Sequence, residues 1–113
     1  MKYTIPYDVF KRDFLIIYSM SIPRPLASGY TMYTKEKCNY CTKVKVLLPE
    51  GSLIIPSDTF LKVDRDAFLA LVDSITGQTP RTFPMVFLDG AFLGGHDDTV
   101  KHLDEIAAFA QEF

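Results

Sequence analysis

The sequence has little cysteine and little histidine. Its 113 residues contain two cysteines, two histidines and no tryptophan. One local pair of cysteines does not make the disulfide framework of a small secreted protein, and it fits a reducing compartment better. A zinc site would need a second pair of ligands at matching spacing, but the two histidines, His96 and His102, lie near the C-terminus. We therefore expect no resident metal and a cytoplasmic location.

The sequence also lacks strong charge and a long apolar run. Its formal net charge of −2 gives no reason to expect a nucleic acid or an anionic membrane as partner. The longest apolar run, residues 14–22, is too short to cross a bilayer. Asp8 and Asp13 lie where a signal peptide would be positively charged. We expect a single globular domain with this run as part of its fold.

The two cysteines form a Cys-x-x-Cys motif between a predicted strand and a predicted helix. Residues 30–34 alternate Thr and Tyr around a Met, which is typical of a strand. After a charged turn and Cys38, an apolar helical face runs through Cys41, Val44, Leu47 and Leu48. Pro49 is expected to end this helix.

This placement predicts a reactive thiolate at Cys38. The sulfur would lie at a helix N-terminus, where unpaired N–H groups and the helix dipole stabilise an anion and lower the thiol pKa. Lys35 and Lys37 would act in the same direction. Cys41, one turn further on, is predicted to be the resolving thiol. A pair of buried, inert cysteines is disfavoured by the flanking charged residues.

Element patterns along the remaining chain predict a small α/β domain. Residues 1–28 are read as an N-terminal extension: Pro6 could start a helix whose apolar stripe is Tyr7, Phe10, Phe14 and Ile17, packed on the core. The second strand is expected in one of two apolar pieces, residues 53–56 or 59–63, because Pro56 argues against one continuous strand through both. We favour residues 59–63. Asp64 is then the expected N-cap of a helix with the apolar face Phe68, Leu71, Val72 and Ile75, ended by Gly77.

The C-terminal third predicts a hairpin and a last helix. Strands are expected at residues 83–88 and 91–93, joined by a tight turn at Asp89-Gly90. The last helix should open within residues 94–98, with His102 on a solvated face. The element order predicts a thioredoxin-like fold: a small mixed four-stranded sheet with helices on both faces and an extra N-terminal helix.

Residues 29–113 resemble the glutaredoxin family in four motifs. Residues 35–41, Lys-x-x-Cys-Asn-Tyr-Cys, are similar to the family's Lys-x-x-Cys-Pro-Tyr-Cys. Residues 76–78 are Thr-Gly-Gln, as in the family, and residues 82–84, Thr-Phe-Pro, match Thr-Val-Pro, whose proline is cis. Residues 94–98, Gly-Gly-His-Asp-Asp, resemble the Gly-Gly-x-Asp-Asp signature.

The resemblance implies a glutathione-dependent thiol–disulfide oxidoreductase that reduces protein–glutathione mixed disulfides and protein disulfides. The γ-glutamyl carboxylate would sit on the backbone N–H groups of His96 and Asp97, and the Asp97 carboxylate would accept from the α-ammonium. Lys35 would meet the glycyl carboxylate, and the backbone of Phe83 would pair with the bound peptide. The implied glutathione contacts are Lys35, Tyr40, Gln78, Arg81, Thr82, Phe83, Pro84, Gly95, His96 and Asp97.

Several departures from the family pattern leave alternatives open. Asn39 stands in place of the usual proline, and Phe83 in place of valine. Relative to the family pattern, Thr79-Pro80 resembles a two-residue insertion between Gln78 and Arg81. Residues 49–58 form a longer connection than is usual in the family. The first alternative is a [2Fe–2S] carrier that uses Cys38 and glutathione from two protomers. The second is a thioredoxin-like hydrogen donor to ribonucleotide reductase. For the enzyme we expect a monomer.

Overall fold

The computed structural model describes residues 22–111. The predicted helix before residue 22 lies outside the described residues. In the described part the elements are β1 (Tyr30–Thr34), α1 (Asn39–Leu47), β2 (Leu53–Pro56), α2 (Asp58–Thr76), β3 (Met85–Leu88), β4 (Ala91–Gly94) and α3 (His96–Gln111).

The four strands form one mixed sheet in the order β2-β1-β3-β4. β1 pairs in parallel with β2 and antiparallel with β3, and β3 pairs antiparallel with β4. Phe68 and Val72 of α2 pack on one face of the sheet, while Val44 and Leu48 from α1 and its C-terminal end pack on the other together with Leu103 of α3. This is the predicted thioredoxin-like arrangement.

The segment before β1 is fastened to the larger of the two cores. Ile22 is buried in the cluster beneath α2. The Tyr33 hydroxyl donates to the carbonyl of Pro23, and burial raises the pKa of Tyr33 to about 12. The Leu26 N–H donates to the Thr31 hydroxyl at 3.0 Å. These contacts fix the entry of the chain into the first strand.

The assignment of the second strand to residues 59–63 is wrong. Those residues lie in α2, and β2 is the earlier apolar run. Pro56 is tolerated because it is the last residue of β2, which is an edge strand. An edge strand has a neighbour on one side only, so a proline there need not remove a hydrogen bond of the sheet. The next N–H, of Ser57, donates to the Thr34 carbonyl at 2.8 Å.

The predicted cap at Asp64 is confirmed, although it lies inside α2. Asp64 has φ −156° and ψ 82°, so the helix is kinked there and restarts. Its carboxylate accepts a hydrogen bond from the Ala67 N–H at 3.0 Å, the N-cap geometry that the pattern predicts. Gly77 ends the helix with φ 71°, in the left-handed region that favours glycine.

The hairpin turn is also confirmed. Asp89 and Gly90 have φ values of 54° and 86°, both positive, as the two central residues of a tight hairpin require. The Asp89 carboxylate accepts from the Gly29 N–H at 2.7 Å, which ties the hairpin to the start of β1.

The expectation that His102 faces solvent is wrong. His102 is half-buried, its Nε2 lies 2.9 Å from the Tyr30 hydroxyl, and the two rings meet edge to face. The reason is its position one turn after Thr99, which is fully buried, so His102 lies near the inward face of α3. Within residues 22–111, no helix is both long and apolar enough to span a bilayer.

Candidate active site

Cys38 is the N-cap of α1. It has extended backbone angles, and its Sγ accepts from the Cys41 N–H at 3.2 Å. Cys38 and Cys41 are joined by a disulfide, with their Cα atoms 5.2 Å apart. Once that bond is reduced, the same N–H and the helix dipole would stabilise a thiolate at Cys38.

The two sulfurs differ in access. Cys38 is half-buried at the helix end, whereas Cys41 is 3% exposed and lies in the core behind it. An incoming thiol or disulfide therefore reaches Cys38 first. The predicted division into attacking and resolving cysteine agrees with this difference.

The loop before β3 forms the wall next to Cys38. The Phe83–Pro84 peptide bond is cis, as the resemblance implies. The carbonyl oxygen of Phe83 lies 3.6 Å from the Cys38 Sγ, and Pro84 is fully buried behind it. The backbone of Phe83 is thus placed beside the reactive sulfur.

A cleft of about 470 Å³ lies between this loop and α3; we call it the α3 cleft. Six of the predicted glutathione contacts line it together with Asp98. They are Tyr40, Thr82, Phe83, Gly95, His96 and Asp97. The fold thus gathers residues that are up to 57 positions apart, counted from Tyr40 to Asp97.

The N-terminus of α3 faces this cleft. Gly94 has φ 137°, and a Cβ there would overlap the side chain of Asp98, so only glycine fits. The Thr99 N–H is the first to bond within the helix, to the Gly95 carbonyl at 3.0 Å. The N–H groups that precede it are those that a helix start leaves for an anion.

The His96 side chain joins two other residues of the cleft. Its Nδ1 lies 2.8 Å from a carboxylate oxygen of Asp97, and its ring centroid is 4.8 Å from that of Tyr40. Lys43 places its ammonium 5.3 Å from the Tyr40 ring centroid. The sequence predicted a role only for the backbone of His96, because no local spacing signals a contact with a residue on α1.

A second cleft, of about 310 Å³, is lined by Cys38 itself; we call it the lysine cleft. Lys35, Lys37 and Lys45 line it together with both cysteines. Asp58, at the start of α2, also lines it, and both of its carboxylate oxygens lie 3.2 Å from the Glu36 N–H that they accept from. Sequence reasoning missed Asp58, whose contact joins the start of α2 to the turn after β1.

The structure does not bring Gln78 and Arg81 to the site. Arg81 donates to both carboxylate oxygens of Asp73, at 2.8 and 3.1 Å, and to the Pro80 carbonyl. This hydrogen bonding lowers the pKa of Asp73 and raises that of Arg81. The Gln78 N–H bonds to the Thr76 hydroxyl at 3.0 Å. Neither residue lines the α3 cleft or the lysine cleft.

The glutaredoxin family model matches residues 30–93, more than half of the chain. The chain belongs to the glutaredoxin family. Members of this family are thiol–disulfide oxidoreductases, and the matched residues run from β1 through both cysteines into β4.

Curated relatives agree with this membership. Glutaredoxin 3 of Escherichia coli K12 is 32% identical over 68 residues, which cover 59% of this chain and 76% of the relative. Glutaredoxin 1 of Rickettsia typhi is 31% identical, over 59% of this chain and 62% of the relative. The hybrid peroxiredoxin hyPrx5 of Haemophilus influenzae is 29% identical over 86% of this chain. The match spans only 38% of that larger protein.

Solved glutaredoxin structures share the fold. Oxidized glutaredoxin 2 from Chlamydomonas reinhardtii superposes with a TM-score of 0.55 and 26% identity, over 84% of this chain and 86% of that one. A buckwheat glutaredoxin–glutathione complex gives a TM-score of 0.55 and 28% identity, over 83% of each chain.

Proposed function

We propose that this glutaredoxin is a glutathione-dependent thiol–disulfide oxidoreductase. One observation carries the proposal: the accessible sulfur at the start of α1 lies beside a cleft that ends at the N-terminus of α3. A helix N-terminus stabilises a thiolate at one end of this arrangement and a carboxylate at the other. Glutathione carries its thiol on the central residue and a carboxylate at each end, so it can reach both the sulfur and the start of α3.

The first step is a thiol–disulfide exchange at Cys38. Its thiolate attacks the glutathione sulfur of a protein–glutathione mixed disulfide. A bond forms between Cys38 and glutathione, the bond between glutathione and the protein breaks, and the protein leaves as a thiolate that takes a proton from water. A second glutathione thiolate then attacks the glutathionyl sulfur, which releases glutathione disulfide and restores the Cys38 thiolate.

A protein disulfide would take a second route through Cys41. Cys38 attacks one of its sulfurs, and the Cys41 thiolate then attacks Cys38, which closes the Cys38–Cys41 disulfide and releases the substrate as a dithiol. Two glutathione molecules reduce the enzyme and become glutathione disulfide. The two sulfurs are one turn apart and already joined in the structure, which supports this route.

Glutathione is proposed to bind along the α3 cleft. Its γ-glutamyl carboxylate would meet the first N–H groups of α3, and its ammonium the Asp97 carboxylate. The glycyl end would extend toward Lys35, whose ammonium stands over the Phe83 ring. The buckwheat glutaredoxin was solved as a glutathione complex, which supports the same ligand here.

The decisive test is NADPH oxidation coupled through glutathione reductase, with a small glutathione mixed disulfide as substrate. We expect turnover that depends on both glutathione and this protein, and none with Cys38→Ser. If the protein reduces the substrate only with a thioredoxin-type flavoenzyme and not with glutathione, the proposal is wrong.

For protein substrates we propose two candidates. Ribonucleotide reductase is the first, because the resemblance to glutaredoxins and thioredoxins implies it. A peroxiredoxin is the other, because one relative carries the name hybrid peroxiredoxin. Each would be supplied oxidised, with glutathione and glutathione reductase, and the expected result is NADPH consumption that requires Cys38. We further propose that the protein acts in the cytoplasm as a monomer.

The iron–sulfur alternative would place a shared cluster between two chains. No group of three or more Cys, His, Asp or Glu side chains among residues 22–111 could hold a metal ion. Only the Cys38 sulfur is accessible, so each chain offers one thiolate and the other ligands would come from glutathione and a second chain. Such a cluster would give the protein a carrier role. Asn39, which stands in place of the family's proline, is the feature that favours it.

A further inference from the structure

Phe83 is the one residue of the Thr-x-Pro motif that departs from the family pattern, and its ring is held from one side. It is half-buried and stacks on Phe68, with centroids 6.1 Å apart and an interplanar angle of 22°. Phe68 is fully buried and stacks in turn on Phe60, at 6.2 Å and 9°. The Phe83 ring is therefore fixed to the core through α2.

Lys35 covers the same ring. Its Nζ lies 5.7 Å from the Phe83 centroid, within the distance at which an ammonium is attracted to an aromatic face. The backbone around Lys35 is also restrained, since Thr34 is buried in β1 and the Glu36 N–H bonds to Asp58. A lysine side chain has four carbons between its backbone and its charge, so an aromatic face that attracts the ammonium can select the position of that charge.

We propose that Phe83 is a positioning residue that holds the Lys35 ammonium beside the reactive sulfur. Two contacts connect this pair to the thiol. The Phe83 carbonyl lies 3.6 Å from the Cys38 Sγ, and Lys35 lines the lysine cleft together with Cys38. A cation held there attracts anionic reaction partners to the sulfur. The inference rests on the proposed function only in naming the natural anion, the glycyl carboxylate of glutathione.

Alkylation of the reduced full-length protein tests the proposal without glutathione. Iodoacetate and iodoacetamide react alike: the Cys38 thiolate forms a bond to carbon and iodide leaves. Only iodoacetate is an anion. The ratio of their rate constants at Cys38, measured by mass spectrometry, therefore reports the local positive charge, while the thiolate fraction and the access to the sulfur cancel.

We expect Phe83→Val to lower this ratio about two- to fourfold, the effect of a lost cation–π contact of ordinary strength. Phe83→Tyr should keep the ratio, because the aromatic face remains. Lys35→Gln should lower it as much as Phe83→Val does, and adding Phe83→Val to Lys35→Gln should change nothing further. In a Lys45→Gln background, which removes another lysine of the same cleft, Phe83→Val should still have its full effect.

Three results would overturn the inference. They are an unchanged ratio in Phe83→Val, a lowered ratio in Phe83→Tyr, or an equal further drop when Phe83→Val is added to Lys35→Gln. Valine is the residue of the family pattern at this position, so Phe83→Val is expected to fold, and thermal unfolding checks it. Because no glutathione is present, failure of the proposed function would leave this ratio unaffected.

Discussion

At the scale of single residues, the two sulfurs of the disulfide differ mainly in exposure. Cys38 is the N-cap of α1 and is half-buried, whereas Cys41 is in the core. We predict that Cys38→Ser abolishes removal of glutathione from mixed disulfides, because the attacking thiolate is gone. Cys41→Ser should retain much of this activity, because that reaction does not need a resolving thiol. The coupled NADPH assay measures both, and equal loss in the two variants would contradict the assignment of roles.

Asp97 and Lys35 carry opposite charges at the two ends of the proposed glutathione position. We predict that Asp97→Ala and Lys35→Ala each raise the KM for glutathione several-fold and lower kcat less. Each removes a charged contact that binds ground state and transition state alike. An exposed charge-assisted contact of about 1 kcal/mol corresponds to that factor. Steady-state kinetics over a range of glutathione concentrations provide the measurement.

Asp104→Ala is the matched control for Asp97→Ala, since it removes a carboxylate from the exposed surface of the same helix. It should leave the KM for glutathione near that of the unmodified protein. An unchanged KM in both Asp97→Ala and Lys35→Ala would move the glutathione site away from the α3 cleft.

Residue chemistry was predictable from sequence where it depends on near neighbours. The spacing of Cys38 and Cys41 and their place before a helix were enough to predict an attacking and a resolving thiol. Contacts across the fold were not predictable in this way. His96 contacts Tyr40 because α1 and α3 pack on the same face of the sheet. Arg81 lies outside both clefts because its guanidinium forms an ion pair with Asp73.

At the scale of elements, the mistaken second strand shows where the sequence pattern was ambiguous. Residues 53–56 and 59–63 are both short apolar runs, and periodicity does not separate short strands from helices. Proline disfavours a central strand, but Pro56 lies in an edge strand, where it costs little. The capping signal of Asp64 was read as the start of a helix, whereas the helix begins at Asp58 and kinks at Asp64.

The ion pair between Asp73 and Arg81 links α2 to the loop before β3 and gives a pH-dependent prediction. The hydrogen bond from Arg81 lowers the pKa of Asp73 below its usual range in the folded protein. The stabilisation is therefore present above the unfolded pKa of about 3.9 and is lost as the pH falls through the lower, folded value. We predict that Arg81→Gln brings the pKa of Asp73 back toward its ordinary value in an NMR titration.

Arg81→Gln should also leave the KM for glutathione nearly unchanged, because Arg81 lies outside both clefts. A KM that rises as much as in Lys35→Ala would restore Arg81 as a glutathione contact. Added salt should weaken the Asp73–Arg81 pair in the unmodified protein, since both side chains are partly exposed.

At the scale of the whole molecule, the fold brings together motifs that are far apart in the sequence. β1 and β3 are neighbours in the sheet, so the Cys-x-x-Cys turn that follows β1 meets the Phe83 loop that precedes β3. α3 begins where β4 ends, and this is the end of the sheet at which β1 ends and β3 begins. The element order was enough to predict the small mixed sheet, because a parallel crossover followed by a hairpin allows few arrangements. The position of Phe83 beside Cys38 was implied by the resemblance to glutaredoxins.

Whether two such molecules share an iron–sulfur cluster is a property of the assembly, and Asn39 provides the test. Asn39 is the first residue of α1, a position where proline is compatible with a helix, so Asn39→Pro is expected to fold.

The iron–sulfur alternative predicts a coloured dimer after anaerobic reconstitution with iron, sulfide and glutathione. It further predicts less colour in Asn39→Pro, whose fixed φ stiffens the helix start, and none in Cys38→Ser, which lacks the ligating thiolate. Absorbance and gel filtration measure colour and dimer together. A colourless monomer from the unmodified protein would exclude the cluster and leave the oxidoreductase proposal alone, whereas equal colour in Asn39→Pro would remove residue 39 from the explanation.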